Sequence, residues 1–386
     1  MLKHRFPKLD SLEFEEKSED GATINAQFKA VKDEINKEKS GFREDGQSVD
    51  EPLWEKISSY NKSKFLFPTK GVDVGFRITN AGWKMLEILF AFNMFKNRGK
   101  NRKNPTLRHF DNTSAPGNFI MATHYYVMHY TVFTRHDWYA SSFYGGDESI
   151  IGLSGLESKY PERLAMGPKN DGDVMKTENL LDWESKFPNM DLYTTDLGFP
   201  LRSEEQYNEQ EKYHAHGNLG QILAGLLMLK LKGVLVAKMF TAHEPWTHSL
   251  FAVLSHVFEA FWLYKPIYSN PINTETYVVG CGYKGLTKDL RSHLLSAHKN
   301  FHFDTLLCKI PKSVEKVAYS AMTNLRDIVS LFLKSLLEIY KDLRDNPEKQ
   351  KDRRNLKLNV DRSKEVQLFK KIFPPVFAKV KHRLLK

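Results

Sequence analysis

The sequence predicts an α/β fold in which a mostly parallel β-sheet carries helices on both faces. Short apolar runs rich in β-branched residues, typical of buried strands, alternate along the chain with longer segments whose apolar residues recur at helical spacing. A glycine-containing turn also joins one predicted strand directly to the helix that follows it. Alternating strands and helices need crossover connections, and these place the helices on the faces of the sheet.

The elements follow in order from local patterns. Thr79 or Asn80 can cap the first long helix of the centre. Apolar runs predict the strands, at 107–111, 138–143, 190–193, 233–240, 261–264 and 276–280. Helical spacing predicts the longer helices, at 79–95, 120–130, 204–231, 244–261 and 314–343.

The two ends of the chain differ from its centre. Residues 1–70 mix charges of both signs with weak periodicity, which predicts short helices and loops. The region after residue 343 is rich in lysine and arginine, which fits either a solvated helical extension or an RNA-binding arm. We therefore expect an N-terminal extension over 1–70, a central domain over 71–300 and a basic, helical C-terminal extension over 301–386.

Composition narrows the class of protein. The chain has 386 residues, 41% of them hydrophobic, with a formal net charge of +10 and 12% aromatic residues. This balance is compatible with a polyanionic partner and equally with a generally basic soluble protein. Two cysteines, Cys281 and Cys308, exclude a disulfide framework and do not have zinc-site spacing. We expect neither a signal peptide nor a membrane-spanning segment.

Four ionisable residues stand out by their positions. Lys84 lies on the helix before the turn, Asp196 follows one strand, Lys238 ends the next, and Glu275 opens the last. The carboxyl ends of parallel strands share one rim, so Asp196 and Lys238 are expected to be neighbours. Glu275 reaches that rim if its strand runs antiparallel. Taken alone, Lys238 is also explained as a lysine that reaches solvent where its strand leaves the core.

Six segments match the motifs of a known family in the right order. They are residues 80–87 with Lys84, 111–119 with the turn Ser-Ala-Pro-Gly-Asn-Phe, 143–146 together with 172–179, 191–196 with Asp196, 221–240 with Lys238, and 265–279 with Glu275. On these residues the chain resembles the FtsJ-like ribose 2′-O-methyltransferases, and within them the cap-specific mRNA enzymes. Residues 248–256 are also similar to the version carried by large cytoplasmic DNA viruses such as African swine fever virus.

The resemblance implies a Rossmann-like class I methyltransferase sheet and transfer of a methyl group from S-adenosyl-L-methionine to a ribose 2′-hydroxyl of capped mRNA. It implies that Lys238 activates the hydroxyl, and that Lys84 orients the hydroxyl and lowers the pKa of Lys238. It also implies that Asp196 steers Lys238 and borders the methyl donor. Glu275 is implied to anchor Lys84 or Lys238. The residues implied to hold the cofactor are Asp111, Ala115, Pro116, Gly117, Phe119, Asp173, Val174 and Asp196, with Asp173 at the adenine amine.

Three departures from the family pattern are visible. Asn118 replaces the second glycine of the turn, Asn270 replaces an arginine, and no acidic residue ends the strand predicted at 138–143. No metal is expected, since His124, His214 and His216 are isolated histidines on predicted helices.

Two alternatives remain open at the level of sequence. One is methylation of rRNA or tRNA, and the other is an RNA-binding or assembly subunit that has lost catalysis. The expected partners are capped RNA and, for the cap reading, a protein of the capping machinery, with no membrane. The expected compartment is the cytoplasm, including a virus factory or virion, if the chain is viral, and the nucleus if it is cellular.

Overall fold

A computed structural model describes residues 2–14, 26–40, 51–60, 78–96, 98–99, 103–144, 159–199, 203–358 and 360–374. Seven strands of these residues form one sheet. The strands are β1 (Leu2–Arg5), β2 (Thr106–Asn112), β3 (Arg135–Ala140), β4 (Met190–Thr195), β5 (Leu229–Met239), β6 (Phe258–Lys265) and β7 (Thr276–Tyr283). Their order across the sheet is β1-β6-β7-β5-β4-β2-β3.

The sheet is parallel in one half and antiparallel in the other. β3, β2, β4 and β5 run parallel to one another. β7 runs antiparallel to both β5 and β6, and β1 runs antiparallel to β6. The predicted α/β class is therefore confirmed, and the last strand has the reversed direction that brings its first residue to the carboxyl end of β5.

Helices cover both faces of this sheet. They are α1 (Ala26–Ser40), α2 (Glu51–Tyr60), α3 (Asn80–Ala91), α4 (Asn118–Tyr130), α5 (Thr177–Lys186), α6 (Glu204–Asn208), α7 (Gln210–Met228), α8 (Pro245–Val257), α9 (Lys288–Lys299), α10 (Lys312–Asp345) and α11 (Ser363–Ile372). Helices α3, α4 and α11 pack on one face, and α1, α5, α7, α8, α9 and α10 contribute to the core of the other. Among the described residues no helix combines the length and apolarity needed to cross a bilayer.

Side-chain alternation along the strands divides the core into these two layers. Leu192, Val234 and Val236 point toward α3 and α4, whereas Tyr193 and Leu235 point toward α7. The same alternation carries residues 194, 196 and 238 onto the face of α3 and α4. The polar ends of β4 and β5 therefore lie next to the helix that carries Lys84.

Both ends of the chain take part in this architecture. β1 is an edge strand of the sheet and pairs with β6 through residues assigned above to an N-terminal extension. At the other end, Phe369 and Phe373 of α11 pack with Trp83 and Tyr268 beside α3. The division into 1–70, 71–300 and 301–386 stays a prediction, but residues 2–5 are structurally part of the central sheet.

Several predicted boundaries differ from the structure. The helix expected over 204–231 is two helices, α6 and α7, and β5 begins at Leu229. Likewise the helix expected over 244–261 ends at Val257, and the strand expected over 138–143 ends at Ala140. At the first two junctions the chain passes from helix to strand through apolar residues without glycine or proline, so no local signal marks the change.

Candidate active site

The four predicted ionisable residues meet at one rim of the sheet. Thr195 pairs with Ala237, so Asp196 stands next to Lys238 one residue further along. Lys238 pairs with Tyr277 on the antiparallel strand, which places Glu275 just beyond the carboxyl end of β5. The register of three strands, together with α3, thus assembles the cluster.

Two ion pairs organise this cluster. Nζ of Lys84 lies 2.9 Å and 3.0 Å from the carboxylate oxygens of Glu275. Nζ of Lys238 donates to the backbone oxygen of Asp196 at 2.9 Å and lies 3.4 Å from its Oδ1. Tyr277 donates its hydroxyl hydrogen to the same Oδ1 at 2.8 Å. The side chain of Asp196 is the most exposed, at 22%, against 10–11% for Lys84, Lys238 and Glu275, so the cluster opens to solvent beside Asp196.

Charge balance in this pocket keeps the first pair ionised. Burial lowers the pKa of Lys84, but the nearby carboxylates of Asp196 and Glu275 raise it by more. The net effect is a raised pKa of Lys84. Burial also disfavours the Glu275 carboxylate, and the charges of Lys84 and Lys238 outweigh it and lower the pKa of Glu275. Lys84 is therefore a fixed positive charge rather than a candidate base.

Lys265 holds the loop between β6 and β7, a role that its place in a motif does not indicate. Its buried Nζ donates to Asn273 O at 2.8 Å, Asn273 Oδ1 at 3.1 Å, and the backbone oxygens of Asn270 and Glu275, both at 3.2 Å. In the same loop Ser269 donates to Oε1 of Glu275 at 2.9 Å. The loop thus fixes the carboxylate that holds Lys84.

Glu87 is a second residue whose role the sequence did not reveal. It lies one helical turn after Lys84 and is fully buried. Its carboxylate accepts the Tyr264 hydroxyl at 2.6 Å and the backbone N–H groups of Ile267 and Tyr268 at 2.7 Å and 3.1 Å. Burial raises its pKa to about 7 despite these bonds. Glu87 therefore fastens α3 to the loop that presents Glu275.

Gln221 on α7 fixes the ends of β4 and β5 from the opposite side. Its Oε1 accepts from Thr195 at 2.8 Å, and its Nε2 donates to the backbone oxygen of Lys238 at 2.9 Å. The hydroxyl oxygen of Thr113 accepts the backbone N–H of Asp196 at 3.0 Å. Neutral amide and hydroxyl groups therefore hold the strand ends that carry Asp196 and Lys238.

The glycine turn lies between β2 and α4, at the same rim. Gly117 is the N-cap of α4 with φ 88°, a left-handed conformation that favours glycine. Ala115 and Pro116 are half-buried, and Phe119 is buried with its ring 6.2 Å from that of Tyr277. The turn therefore places the start of α4 next to the ionisable cluster.

Asp111, one of the residues that the resemblance places at the cofactor, lies in the core, and its contact with the cofactor stays a prediction. It is fully buried, and its two carboxylate oxygens accept from Ser114 and Thr194, both at 2.5 Å. It supports the turn from within the core, because it lies near the end of β2 and accepts from Ser114, the first residue of the turn.

A second loop, around Gly172, packs against the residues that follow β3. Gly172 has φ 62°, and a Cβ there would lie 2.0 Å from the backbone oxygen of Ser142, so only glycine allows this approach. Asp173 uses Oδ1 to accept the Met175 N–H at 2.9 Å, and Val174 is buried. Two exposed aromatic residues, Phe143 and Tyr144, follow β3.

The two loops fit the cofactor that the sequence implies. They combine a glycine turn at a helix N-terminus with a second glycine-dependent approach of backbone segments. The hydroxyl of Ser141, at the end of β3, is buried and has no partner among the described atoms, which leaves a polar group for a bound molecule. The ranges described above contain no group of three or more His, Cys, Asp or Glu residues arranged to hold a metal ion.

Comparisons with known proteins agree with this architecture. The model of the FtsJ-like methyltransferase family matches residues 78–283. A probable methyltransferase of African swine fever virus is 33% identical over 247 residues, which cover 60% of this chain and 55% of that protein. An uncharacterized protein of Acanthamoeba polyphaga mimivirus is 34% identical over 220 residues, 55% of this chain and 27% of that protein.

The cap-specific mRNA (nucleoside-2′-O-)-methyltransferase 1 of Trypanosoma brucei brucei is 27% identical over 229 residues, 57% of this chain and 59% of that protein. The chain thus spans about half the length of the African swine fever virus protein that it matches. The matched region contains α3, the glycine turn and all of the ionisable cluster.

Proposed function

Because the chain belongs to the FtsJ-like methyltransferase family, we propose that it transfers a methyl group from S-adenosyl-L-methionine to the ribose 2′-hydroxyl of a 5′-terminal nucleotide of capped mRNA. One observation carries this proposal: Lys84, Asp196, Lys238 and Glu275 converge at one rim, beside the glycine turn. Similarity to proteins named as cap-specific mRNA methyltransferases supports the capped substrate.

The proposed reaction needs a place for the proton of the hydroxyl. S-adenosyl-L-methionine, when bound, supplies an electrophilic methyl group on a sulfonium. Nζ of Lys238 accepts the proton of the 2′-hydroxyl, and Asp196 keeps that amine at the rim. Lys84, held as an ammonium by Glu275, donates a hydrogen bond that orients the hydroxyl oxygen. General-base help of this kind is worth about 10²- to 10⁴-fold, and alignment supplies the rest.

Cofactor binding is assigned to the two loops that contact the segment after β3. Ala115, Pro116, Gly117 and Phe119 form the side next to the catalytic cluster, and Asp173 with Val174 forms the side expected at the adenine. Asp111 contributes through the turn that it supports. These residue roles rest on the family motifs and, for the turn, on the contact of Phe119 with Tyr277, which donates to Asp196.

The test is incubation with S-adenosyl-L-methionine and matched capped and uncapped RNAs, followed by mapping of the methylated ribose. We expect transfer to capped RNA only. Equal methylation of uncapped RNA would instead support the rRNA or tRNA alternative, and binding of RNA without any transfer would support a non-catalytic subunit.

A variant pair tests the assigned base. Lys238→Ala should lower kcat by at least about 10²-fold while RNA binding persists. Lys284→Ala, at an exposed lysine just after β7, is the matched control and should leave kcat unchanged. Full activity of the Lys238 variant would remove this residue from the mechanism.

A further inference from the structure

A chain of hydrogen bonds runs beneath α4 from the half-buried His124 to the buried Asp111. Nδ1 of His124 lies 3.4 Å from Nδ1 of His136, and Nε2 of His136 lies 3.1 Å from Nδ1 of His109. Nε2 of His109 lies 2.6 Å from Oγ1 of Thr194, which donates to Oδ1 of Asp111 at 2.5 Å. The proposed reaction does not use the three histidines.

The register of the sheet produces this histidine relay, the chain from His124 to Asp111. Asp111 pairs with Thr194, and His136 pairs with Leu107, two positions before His109. Directly paired residues share a face of the sheet, as do alternate residues of one strand. All four side chains from the three strands therefore point toward α4, which adds His124.

The hydrogen-bond partners fix which atom carries each proton. While Asp111 is ionised, the single hydrogen of the Thr194 hydroxyl goes to its carboxylate, so His109 donates to Thr194 from Nε2. The Nδ1 of a neutral His109 is then an acceptor, and His136 must donate to it from Nε2. Nδ1 of His136 in turn accepts from Nδ1 of His124. The relay therefore has a single direction that ends on the Asp111 carboxylate.

The histidines are neutral at physiological pH, as this order requires. Burial lowers the pKa of His109 to about 3. Burial and the neighbouring His129 lower the pKa of His124 to about 4. Burial, the other two histidines of the relay and Arg163 lower the pKa of His136 well below its usual value.

The relay ends on the Asp111 carboxylate, which supports the glycine turn. Oδ2 of Asp111 accepts from Oγ of Ser114, and the backbone N–H of Ser114 donates to Ser141 O at 2.9 Å. Burial raises the pKa of Asp111 to about 7, with Asp196 adding to the rise and the two hydroxyl donors opposing it. Loss of the Thr194 donor would leave the buried carboxylate with Ser114 as its remaining side-chain donor among the described residues.

We infer that His109, His136 and Thr194 are positioning residues for the methyl donor, because their ordered hydrogen bonds keep the Asp111 carboxylate in place to hold the turn at residues 114–117. This inference rests on the proposed function in one respect, that the turn binds S-adenosyl-L-methionine. His136 is the central link, since it is the side chain that keeps the proton of His109 on Nε2.

Imidazole ¹⁵N NMR of the full chain tests the direction of the relay. At a pH of about 8, above the pKa of Asp111, we expect the proton on Nε2 in His109 and His136 and on Nδ1 in His124. A proton on Nδ1 of His109 would reverse the order and overturn the inference. This measurement needs neither RNA nor cofactor.

Calorimetry of S-adenosyl-L-methionine binding tests the consequence. His136→Leu removes the central link and should weaken donor affinity by roughly tenfold to a hundredfold. His136→Gln, whose amide can donate to His109 and accept from His124, should stay within about threefold of the native chain. His302→Leu, at an exposed histidine, is the control. If His136→Leu does not fold, Thr194→Val, which lacks only the hydroxyl, takes its place with the same expectation.

The outcomes separate the two proposals. Unchanged donor affinity in a folded His136→Leu or Thr194→Val variant overturns the relay inference while RNA methylation can still hold. Weakened donor affinity without methylation of any RNA overturns the proposed function and supports the relay. A native chain that does not bind S-adenosyl-L-methionine overturns both.

Discussion

Replacing Lys265 with methionine removes a buried positive charge from the loop that presents Glu275. The ammonium lies within 2.8–3.4 Å of oxygens from Ser269, Asn270, Asn273 and Glu275. Methionine has a similar unbranched stem and fills the space without a donor. The change therefore isolates the hydrogen bonds from the packing.

The expected loss of stability follows from these contacts. An ammonium has three hydrogens, and each bond that involves a charged group contributes about 1.5–3 kcal/mol net. Loss of one member of a buried ionic network costs about 3–5 kcal/mol. We expect the Lys265→Met variant to lose free energy of unfolding in that range, measured by urea denaturation. Lys284→Met, at the exposed end of β7, should change it by less than about 0.5 kcal/mol.

Activity gives the second readout for this variant. Lys265 donates to the backbone oxygen of Glu275, so its loss should also lower kcat for methyl transfer at a temperature where the variant is folded. An unchanged urea midpoint would show that the ammonium does not hold the loop. A lower midpoint with native kcat would show that the loop does not govern Glu275.

Two further variants test the surroundings of the cluster. Glu87→Gln should flatten the pH dependence of stability. The pKa of Glu87 is about 7 in the folded chain against 4.5 in the unfolded chain, so between these pH values the folded chain holds a proton that the unfolded chain releases. The free energy of unfolding of the native chain therefore falls by up to about 3 kcal/mol as pH rises from 4.5 to 7. Urea denaturation at pH 5 and pH 8 measures the change in free energy of unfolding between the two pH values. An equal change in the variant and the native chain would refute the raised pKa of Glu87. Asp111 contributes equally to both proteins, so its contribution cancels. Tyr277→Phe removes the donor to Asp196 and should lower kcat about tenfold or more with the fold intact, as steady-state kinetics and a thermal melt would show. Native kcat would mean that Asp196 is oriented without Tyr277.

The sequence predicts that Asp196 and Lys238 are neighbours because both stand at strand ends, whereas Lys84, on a helix, joins them through the family resemblance. Asp196 and Lys238 come directly at the ends of apolar runs, and the parallel arrangement of such runs predicts a shared rim. Glu275 needed the additional expectation of an antiparallel last strand, which β7 fulfils. The order of the strands along the chain, together with that expectation, was therefore enough to predict where Asp196, Lys238 and Glu275 lie.

The supporting residues could not be predicted in the same way. His109 and His136 lie on neighbouring strands at positions that no local pattern relates, and only the β2–β3 register brings Nδ1 of His109 to 3.1 Å from Nε2 of His136. Lys265 and Glu87 are charged residues in apolar surroundings, and their partners are mostly backbone groups of a loop. Loop conformation depends on tertiary contacts, so sequence spacing gave no signal for either.

The strand β1 and the start of β5 could not be predicted for a different reason. β1 is four residues long and carries Lys3, His4 and Arg5, a composition that does not indicate a strand. β5 begins directly after α7 in a leucine-rich stretch, with no glycine or proline between the two elements. β1 forms because it pairs with β6, and β5 starts at Leu229 because it pairs with β4. In both places this pairing overrides the conformational preference of the local sequence.

The pairing of β1 with β6 also has a consequence for the order of assembly. Leu2 pairs with Lys265, so β1 leaves the ribosome long before its partner is synthesised. Pairings between such distant segments close large loops and slow folding. Until β1 docks, the outer edge of β6 offers unpaired backbone groups to any extended segment nearby. The interval between synthesis of β6 and docking of β1 is therefore when a nascent chain is most exposed to strand exchange with a neighbouring copy.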